Sequence, residues 1–108
     1  MLYFEVPINP STPLGPGDVV GECMGRGVYR VLLDHGALPA EFFDLSTGLA
    51  GEFMQKFANY GIRAAAVVPS LAAHSASFQD FAREASRSQQ CRFFPSRGEA
   101  IAWLTEGG

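Results

Sequence analysis

The sequence predicts a single α/β domain with a mostly parallel sheet of four or five strands and helices packed on it. Three observations predict this. Segments rich in β-branched and aliphatic residues alternate strictly with segments of helical periodicity, an order that produces a parallel sheet with right-handed crossovers. One strand segment, Ile62 to Val68, is nearly continuous apolar, as a central strand covered on both faces must be. Finally, 108 residues, 47% of them apolar and 18% charged, suffice for one core and not for two.

Each element has its own local reason. Leu2 to Val6 is apolar, carries Tyr3 and Phe4 and ends at Pro7, which makes a short strand. Pro7, Pro10, Pro13 and Pro16 isolate it, so it is a candidate antiparallel edge. Pro16 suits a first helical position, where its missing N–H is no loss. Val19, Val20, Cys23 and Met24 then form one apolar stripe, and Gly25 and Gly27 supply a left-handed stop. Val28 to Leu33 is the second strand, followed by a loop from Asp34 to Asp44.

The strongest helical pattern follows. Leu49, Ala50, Phe53, Met54, Phe57 and Ala58 recur with helical spacing, and Glu52, Gln55, Lys56 and Asn59 take the other face. Gly48 and Gly51 fall on nearly the same side and are expected to permit close packing inside the monomer. Gly61 closes this helix and Pro69 stops the strand after it. Ser77-Phe78-Gln79-Asp80 reads as a capping box, opening a helix with Phe78, Phe81, Ala82 and Ala85 inside. Cys91 to Phe94 is a last short strand. Ser96-Arg97-Gly98-Glu99 is a second capping box, heading a helix with Ala100, Ile101 and Leu104 inside. Trp103 falls outside that stripe and is expected either to be half exposed and available to a partner or to cover the sheet edge, and Gly107 and Gly108 end the chain.

Composition excludes several function classes. The formal charge is −3, and no basic footprint for nucleic acid exists. Residues 1–55 hold seven acids and two bases, whereas residues 56–108 hold four acids and six bases. Arg83, Arg87, Arg92 and Arg97 supply most of that second-half excess, which reads as a solvated helix face or as a means of orienting a partner. The first nine residues lack a basic n-region, and Ala64 to Gln79 is too short and polar to span a bilayer, so neither targeting nor membrane insertion is expected. Cys23 and Cys91 lie far apart with no CxxC or His-rich neighbourhood. They read as buried thiols of a cytoplasmic protein in preference to a disulfide, and neither a metal nor a cofactor is expected.

One stretch carries a resemblance. Phe42-Phe43-Asp44-Leu45-Ser46-Thr47-Gly48-Leu49-Ala50-Gly51-Glu52, then Gln55-Lys56-Phe57 and Asn59-Tyr60 before a strand, resembles the bacterial family called domain of unknown function 4180. Phe81, Glu84 and Ser86 fit that family's later helix, and Glu99-Ala100-Ile101-Ala102-Trp103-Leu104 its closing one, so the likeness spans roughly Asp18 to Leu104. The family has no established activity. At lower resolution the stretch is similar to the STAS domain of anti-sigma-factor antagonists and to SpoIIAA-like proteins. In those, a strand leads through an Asp-Ser-Ser-Gly-Leu-Gly turn into a helix. That resemblance implies a STAS-like fold and a non-catalytic regulatory or protein-interaction role. It also places the antagonists' phosphorylated serine on Ser46, with Leu45 where the aspartate belongs and the acid displaced to Asp44.

Parallel sheets bind ligands beyond the C-terminal strand ends. That edge offers Asp34, His35, Asp44, Ser70, Pro69, Pro95 and Ser96, with His74 just beyond. Ser46, Thr47 and Gly48 at a helix start suit an anion or a phosphorylation switch, or simply an N-cap. A Ser-His-Asp hydrolase is formally available from Ser70, His35 or His74, and Asp34 or Asp44, but no G-x-S-x-G elbow is present, so no catalytic residue is assigned. The alternative to an interaction module is a small-molecule or anion-binding domain at these strand ends. Phe42, Phe43 and Trp103 are candidates for a contact surface with a protein partner, one of the two phenylalanines being expected to close the core instead. Self-association is expected through the edge strand Leu2–Val6, which has no lysine to blunt pairing, or through the helix carrying Trp103.

Overall fold

The computed structural model describes residues 2–8, 14–88 and 90–106. Four strands, β1 (Phe4–Glu5), β2 (Arg30–Asp34), β3 (Arg63–Val67) and β4 (Cys91–Phe94), form one sheet in the order β1-β2-β3-β4. Every pairing is parallel, with Phe4 opposite Val31, Val31 opposite Ala64, and Ala64 opposite Cys91. The first strand is therefore not an antiparallel edge. The chain between it and β2 contains a full helix, and such a crossover returns it in the same direction. Pro10 and Pro13, and the closing Gly107 and Gly108, lie outside the described residues.

Four helices accompany the strands: α1 (Pro16–Arg26), α2 (Leu49–Tyr60), α3 (Ala76–Ala85) and α4 (Arg97–Thr105). The strand alternation divides them between two layers. Phe4, Val31, Leu33, Ala64, Ala66 and Cys91 face one way and join Val19, Val20 and Cys23 of α1, Ala50, Phe53 and Phe57 of α2, and Phe78 and Ala82 of α3. Leu32, Ala65 and Val67 face the other way and meet only Ala100, Trp103 and Leu104 of α4 among the buried residues. A sequential strand order is what crossovers of one hand, all lying on one side, produce. Helix α4, which follows β4, covers the opposite face. The three alanines of β3 are fully buried, leaving room on both faces for larger side chains from the helices.

The local chemistry holds at most boundaries. The Asp18 carboxylate accepts from the Gly15 N–H ahead of α1 at 3.0 Å. Ser96 accepts from the Glu99 N–H at 3.3 Å and its hydroxyl donates to the Glu99 carboxylate at 3.1 Å. Gly61 ends α2 with φ of 65°, a left-handed geometry that glycine adopts without strain. The start of α3 differs from expectation. Ser75, not Ser77, is its N-cap, accepting from the Phe78 N–H at 3.1 Å. Ser75 supplies the same cap two residues earlier, and Asp80 pairs with Arg83 instead.

Four burial expectations are corrected. Trp103 is only 7% exposed, because Ala100, Trp103 and Leu104 at i, i+3 and i+4 share the face that α4 lays on the sheet. Met24 is 51% exposed, at the outer margin of a stripe already filled by Val19, Val20 and Cys23. Gly48 and Gly51 permit no close packing: both are exposed, and a Cβ at either would meet nothing within 4 Å. The second-half arginines share no helix face. Arg83 and Arg87 pair with Asp80 and Glu84 on α3, while Arg92 is in β4 and Arg97 begins α4.

Both thiols are free and buried. Burial pushes the Cys91 thiol up to about 12 and raises that of Cys23. Because the thiolate is the reactive form, neither cysteine should react with iodoacetamide at pH 8 in the native protein, and both should in denaturant. Rapid native labelling of Cys91 would show that the layer over it opens.

Candidate functional site

The C-terminal strand edge is built around one ion-pair cluster. Arg97, the first residue of α4, grips Glu5 through both guanidinium nitrogens at 2.8 and 3.0 Å and reaches Asp34 at 3.3 Å. The other Asp34 oxygen accepts from the Gly36 N–H at 3.1 Å. A cation at a helix N-terminus is unfavourable by itself, and the two carboxylates offset it. The Arg97 hydrogen bond holds the Glu5 carboxyl below its ordinary value of 4.5.

A carboxyl held low stabilises the fold above its unfolded pKa, and that contribution disappears as pH falls through the folded one. The pair is solvent-exposed, so its contribution is small. Arg97→Ala should lower stability slightly at pH 7 and by almost nothing at about pH 2. Urea melts at the two pH values test this, and equal losses at both would show that the ion pair contributes nothing.

Beside this cluster lies an aromatic one. The Phe43 ring stacks on His74 with centroids 4.3 Å apart and planes 8° from parallel. His35 packs against Phe43 at 5.2 Å and His74 at 5.9 Å. Phe42 is fully buried among Phe53, Phe78 and Phe93, so it belongs to the core and offers no contact surface. Phe43 is half-buried.

The turn before α2 is the most polar part of the edge. Leu45–Thr47 forms a single 3-10 turn capped by Asp44, whose carboxylate accepts from the Ser46 N–H at 3.0 Å and the Ser46 hydroxyl at 2.6 Å. Those bonds hold the Asp44 carboxyl below the usual carboxylate range. Ser46 is thus not the N-cap of α2. Thr47 comes closer, accepting from the Leu49 N–H at 3.3 Å while donating to the carbonyls of Glu41 and Asp44 at 2.7 and 2.8 Å. Gly48 stands at the cap position with φ of 76°, so Gly48→Ala should lose about 1–2 kcal/mol in a denaturant melt. An unchanged midpoint would mean that the turn relaxes without loss.

Ser70 is exposed and begins the 3-10 turn Leu71–Ala73. Next to it, Val68, Pro69, Leu71, Phe93, Phe94 and Pro95 line an apolar cavity of about 110 Å³. A larger groove of about 420 Å³ opens between α2 and α3 over Met54, Ala58, Phe81 and Cys91.

The hydrolase arrangement is not assembled. Asp34 serves Arg97 and Gly36, and Asp44 serves Ser46. The histidines meet each other and Phe43. Among the described residues no three His, Cys, Asp or Glu side chains could hold a metal ion, and no helix is long and apolar enough to cross a membrane. Two juxtapositions were not visible in sequence spacing, Glu5 with Arg97 and His35 with His74. His35 and His74 follow β2 and β3, which are neighbours in the sheet, whereas Glu5 on the edge strand β1 meets Arg97 because α4 crosses back over the sheet.

A third grouping had a readable signal. Tyr29-Arg30-Val31, Ile62-Arg63-Ala64 and Cys91-Arg92-Phe93 each place an arginine where a strand begins.

No curated protein matches this chain, and no solved structure does. A family model does, over residues 15–104, and it carries the description domain of unknown function (DUF4180). That span takes in all four helices, strands β2 to β4, and the polar turn ahead of α2, and the chain therefore belongs to the DUF4180 family.

Proposed function

We propose that this chain is a non-catalytic regulatory interaction module of STAS-like architecture, acting in the cytoplasm, with the turn from Asp44 to Leu49 as its switchable contact. The observation that carries the reading is the state of Ser46. Its side chain is exposed directly ahead of α2 and is tied down by one neighbour, Asp44. A phosphate there adds a charge of about −1.5 to −2 at pH 7. It breaks the bond to Asp44 and repels that carboxylate, while the first turn of α2 tolerates the negative charge. The free thiols suit a reducing compartment. The Asp34 and Asp44 carboxylates are engaged away from the histidines, which supports a role without catalysis.

Ser46→Asp should shift the melting temperature by no more than about 2–4 °C, the equivalent of about 0.5 kcal/mol in a domain this small, and should release a protein retained by the wild type on an affinity column. Thr47→Asp is the comparison, because the displaced acid at Asp44 leaves the register open by one residue. Identical retained proteins for wild type and both variants, or no phosphate on either residue in protein isolated from its own cells, would sink the switch.

A second reading is a small-molecule site at the same edge, favoured by the apolar cavity at Pro69 and Pro95. That cavity of about 110 Å³ is below the roughly 300–1,000 Å³ of ordinary ligand pockets. Strand order 1-2-3-4 also lacks the reversal at which parallel sheets open a crevice. As an anion site the edge is weaker still, because Arg97 is already neutralised by two carboxylates. A thermal-shift screen with nucleotides, phosphates and acyl ligands separates the two readings. A second copy, if one binds, has the short edge strand β1 as its pairing surface, flanked by the exposed Leu2 and Ile8.

A further inference from the structure

The arginines of this chain divide into two groups. Arg26, Arg83, Arg87 and Arg97 each pair with a carboxylate, Glu22, Asp80, Glu84, and Glu5 with Asp34. The three remaining arginines, Arg30, Arg63 and Arg92, have no carboxylate within ion-pair distance among the described residues. They stand on three adjacent strands. Arg30 is opposite Arg63, and Arg92 is opposite Ala65, two residues further along the same face. All three project to the α4 side, where Trp103 lies between strand and solvent. The Arg63 guanidinium sits 3.9 Å from the Trp103 ring centre and that of Arg92 5.5 Å from it.

Gathering like charges is unfavourable. Burial first, then the charges of Arg30 and Arg92, lower the Arg63 pKa, and the Glu106 carboxylate opposes them. The Nε atoms of Arg63 and Arg92 are buried without a hydrogen-bond partner, while one terminal nitrogen of Arg63 donates to the Glu106 carbonyl at 3.3 Å. A negatively charged occupant relieves this repulsion.

The same end of the sheet also carries exposed apolar surface. Helix α1 ends and β2 begins there, as α2 ends and β3 begins. Met24, Tyr29 and Tyr60 belong to those junctions and are 51%, 50% and 45% exposed. Arginine, tyrosine and methionine are the residues enriched at protein interfaces. The three arginines are half-buried and spread over three strands about 4.8 Å apart, a spacing suited to a row of carboxylates and not to one enclosed small ligand.

We propose that the N-terminal ends of β2, β3 and β4 form a docking surface for an acidic protein segment, whose carboxylates are held by Arg30, Arg63 and Arg92. This surface is at the opposite end of the sheet from Ser46 and stands independently of the switch. Tyr29 and Tyr60 supply the apolar margin, and Trp103 holds Arg63 and Arg92 in place from below.

Trp103 is the one tryptophan of the chain, so its emission reports occupancy directly. The probe is a capped octaglutamate peptide added to the full chain at low salt. Trp103 emission should change saturably, the change should vanish in about 1 M salt, where the screening length is about 3 Å, and octalysine should give none. Arg30→Glu should weaken binding by about tenfold or more, the equivalent of one charge-assisted contact. The Trp103 ring carries Arg63 and Arg92, so the Arg30 variant should keep the wild-type circular dichroism. If it does not, Arg92→Gln serves in its place, with the same expected weakening.

No emission change with octaglutamate, or equal affinity in wild type and folded variant, overturns the proposal. Inorganic phosphate or an oligouridylate binding more tightly than the peptide also overturns it, in favour of a small oxyanion or a nucleic acid. Self-association abolished by Arg30→Glu, without peptide binding, overturns it in favour of a second copy.

Discussion

Phe53→Ala should lose about 3–5 kcal/mol of stability, a large part of the roughly 5–15 kcal/mol available to a domain of this size. Phe53 is 1% exposed and lies at the centre of the three-helix layer, edge-on to Phe42 at 5.5 Å and beside Phe57 at 5.9 Å. Such edge-to-face pairs add about 0.5–1.5 kcal/mol to the area they bury. The ring cannot be replaced by local collapse, because the backbones around it belong to α2, the turn Ala40–Phe43 and the sheet. A urea melt measures the loss. A value below about 1 kcal/mol would place Phe53 at a margin of the core.

Trp103→Ala should be comparably damaging, at about 3–5 kcal/mol, for a different reason. The second face of the sheet is covered by α4 alone, and Trp103 is the largest side chain of that cover, in contact with Phe94 at 5.6 Å. Its removal opens Leu32, Ala65 and Val67 to water and leaves Arg63 and Arg92 without the ring that carries them. Trp103→Phe should recover part of the loss, because a smaller ring still covers Ala65. If both variants melt like the wild type, the contribution of α4 to stability rests on Ala100 and Leu104 instead.

The elements with strong periodicity were legible. The α2 face through Phe53 and Phe57, the apolar β3 run and the glycine stop at Gly61 all follow from spacing and backbone chemistry. The direction of β1 was not, because a two-residue strand bounded by prolines carries no signal of what it pairs with. The misplaced start of α3 has a plain cause. Ser75 and Ser77 are both good caps, and only packing of Phe78 chooses between them. Trp103 was open between exposure and a place over the sheet because a nine-residue helix gives too few turns to define one stripe from sequence. At the candidate site, Asp44, Ser46 and Thr47 were legible as a turn, yet the roles within it were not. The cap falls to Gly48 because its left-handed φ ends the 3-10 turn and leaves the serine facing back to Asp44. An arginine at the start of each of three strands was legible, whereas their meeting on one face follows from strand register, which sequence spacing does not contain.

Each strand of the sheet pairs with the strand that follows it in the chain, and this has a consequence for synthesis on the ribosome. The three-helix layer can be completed in the order in which it is translated, with each new strand docking on the one already in place. The second face cannot. Leu32, Ala65 and Val67 remain bare until the final helix emerges, so the nascent chain passes through a stage in which one side of a nearly finished sheet is apolar and open. Such transient surfaces are where aggregation begins. A chain stalled or cut before Arg97 should therefore be caught by holdase chaperones or precipitate, even though the larger of its two core clusters is intact.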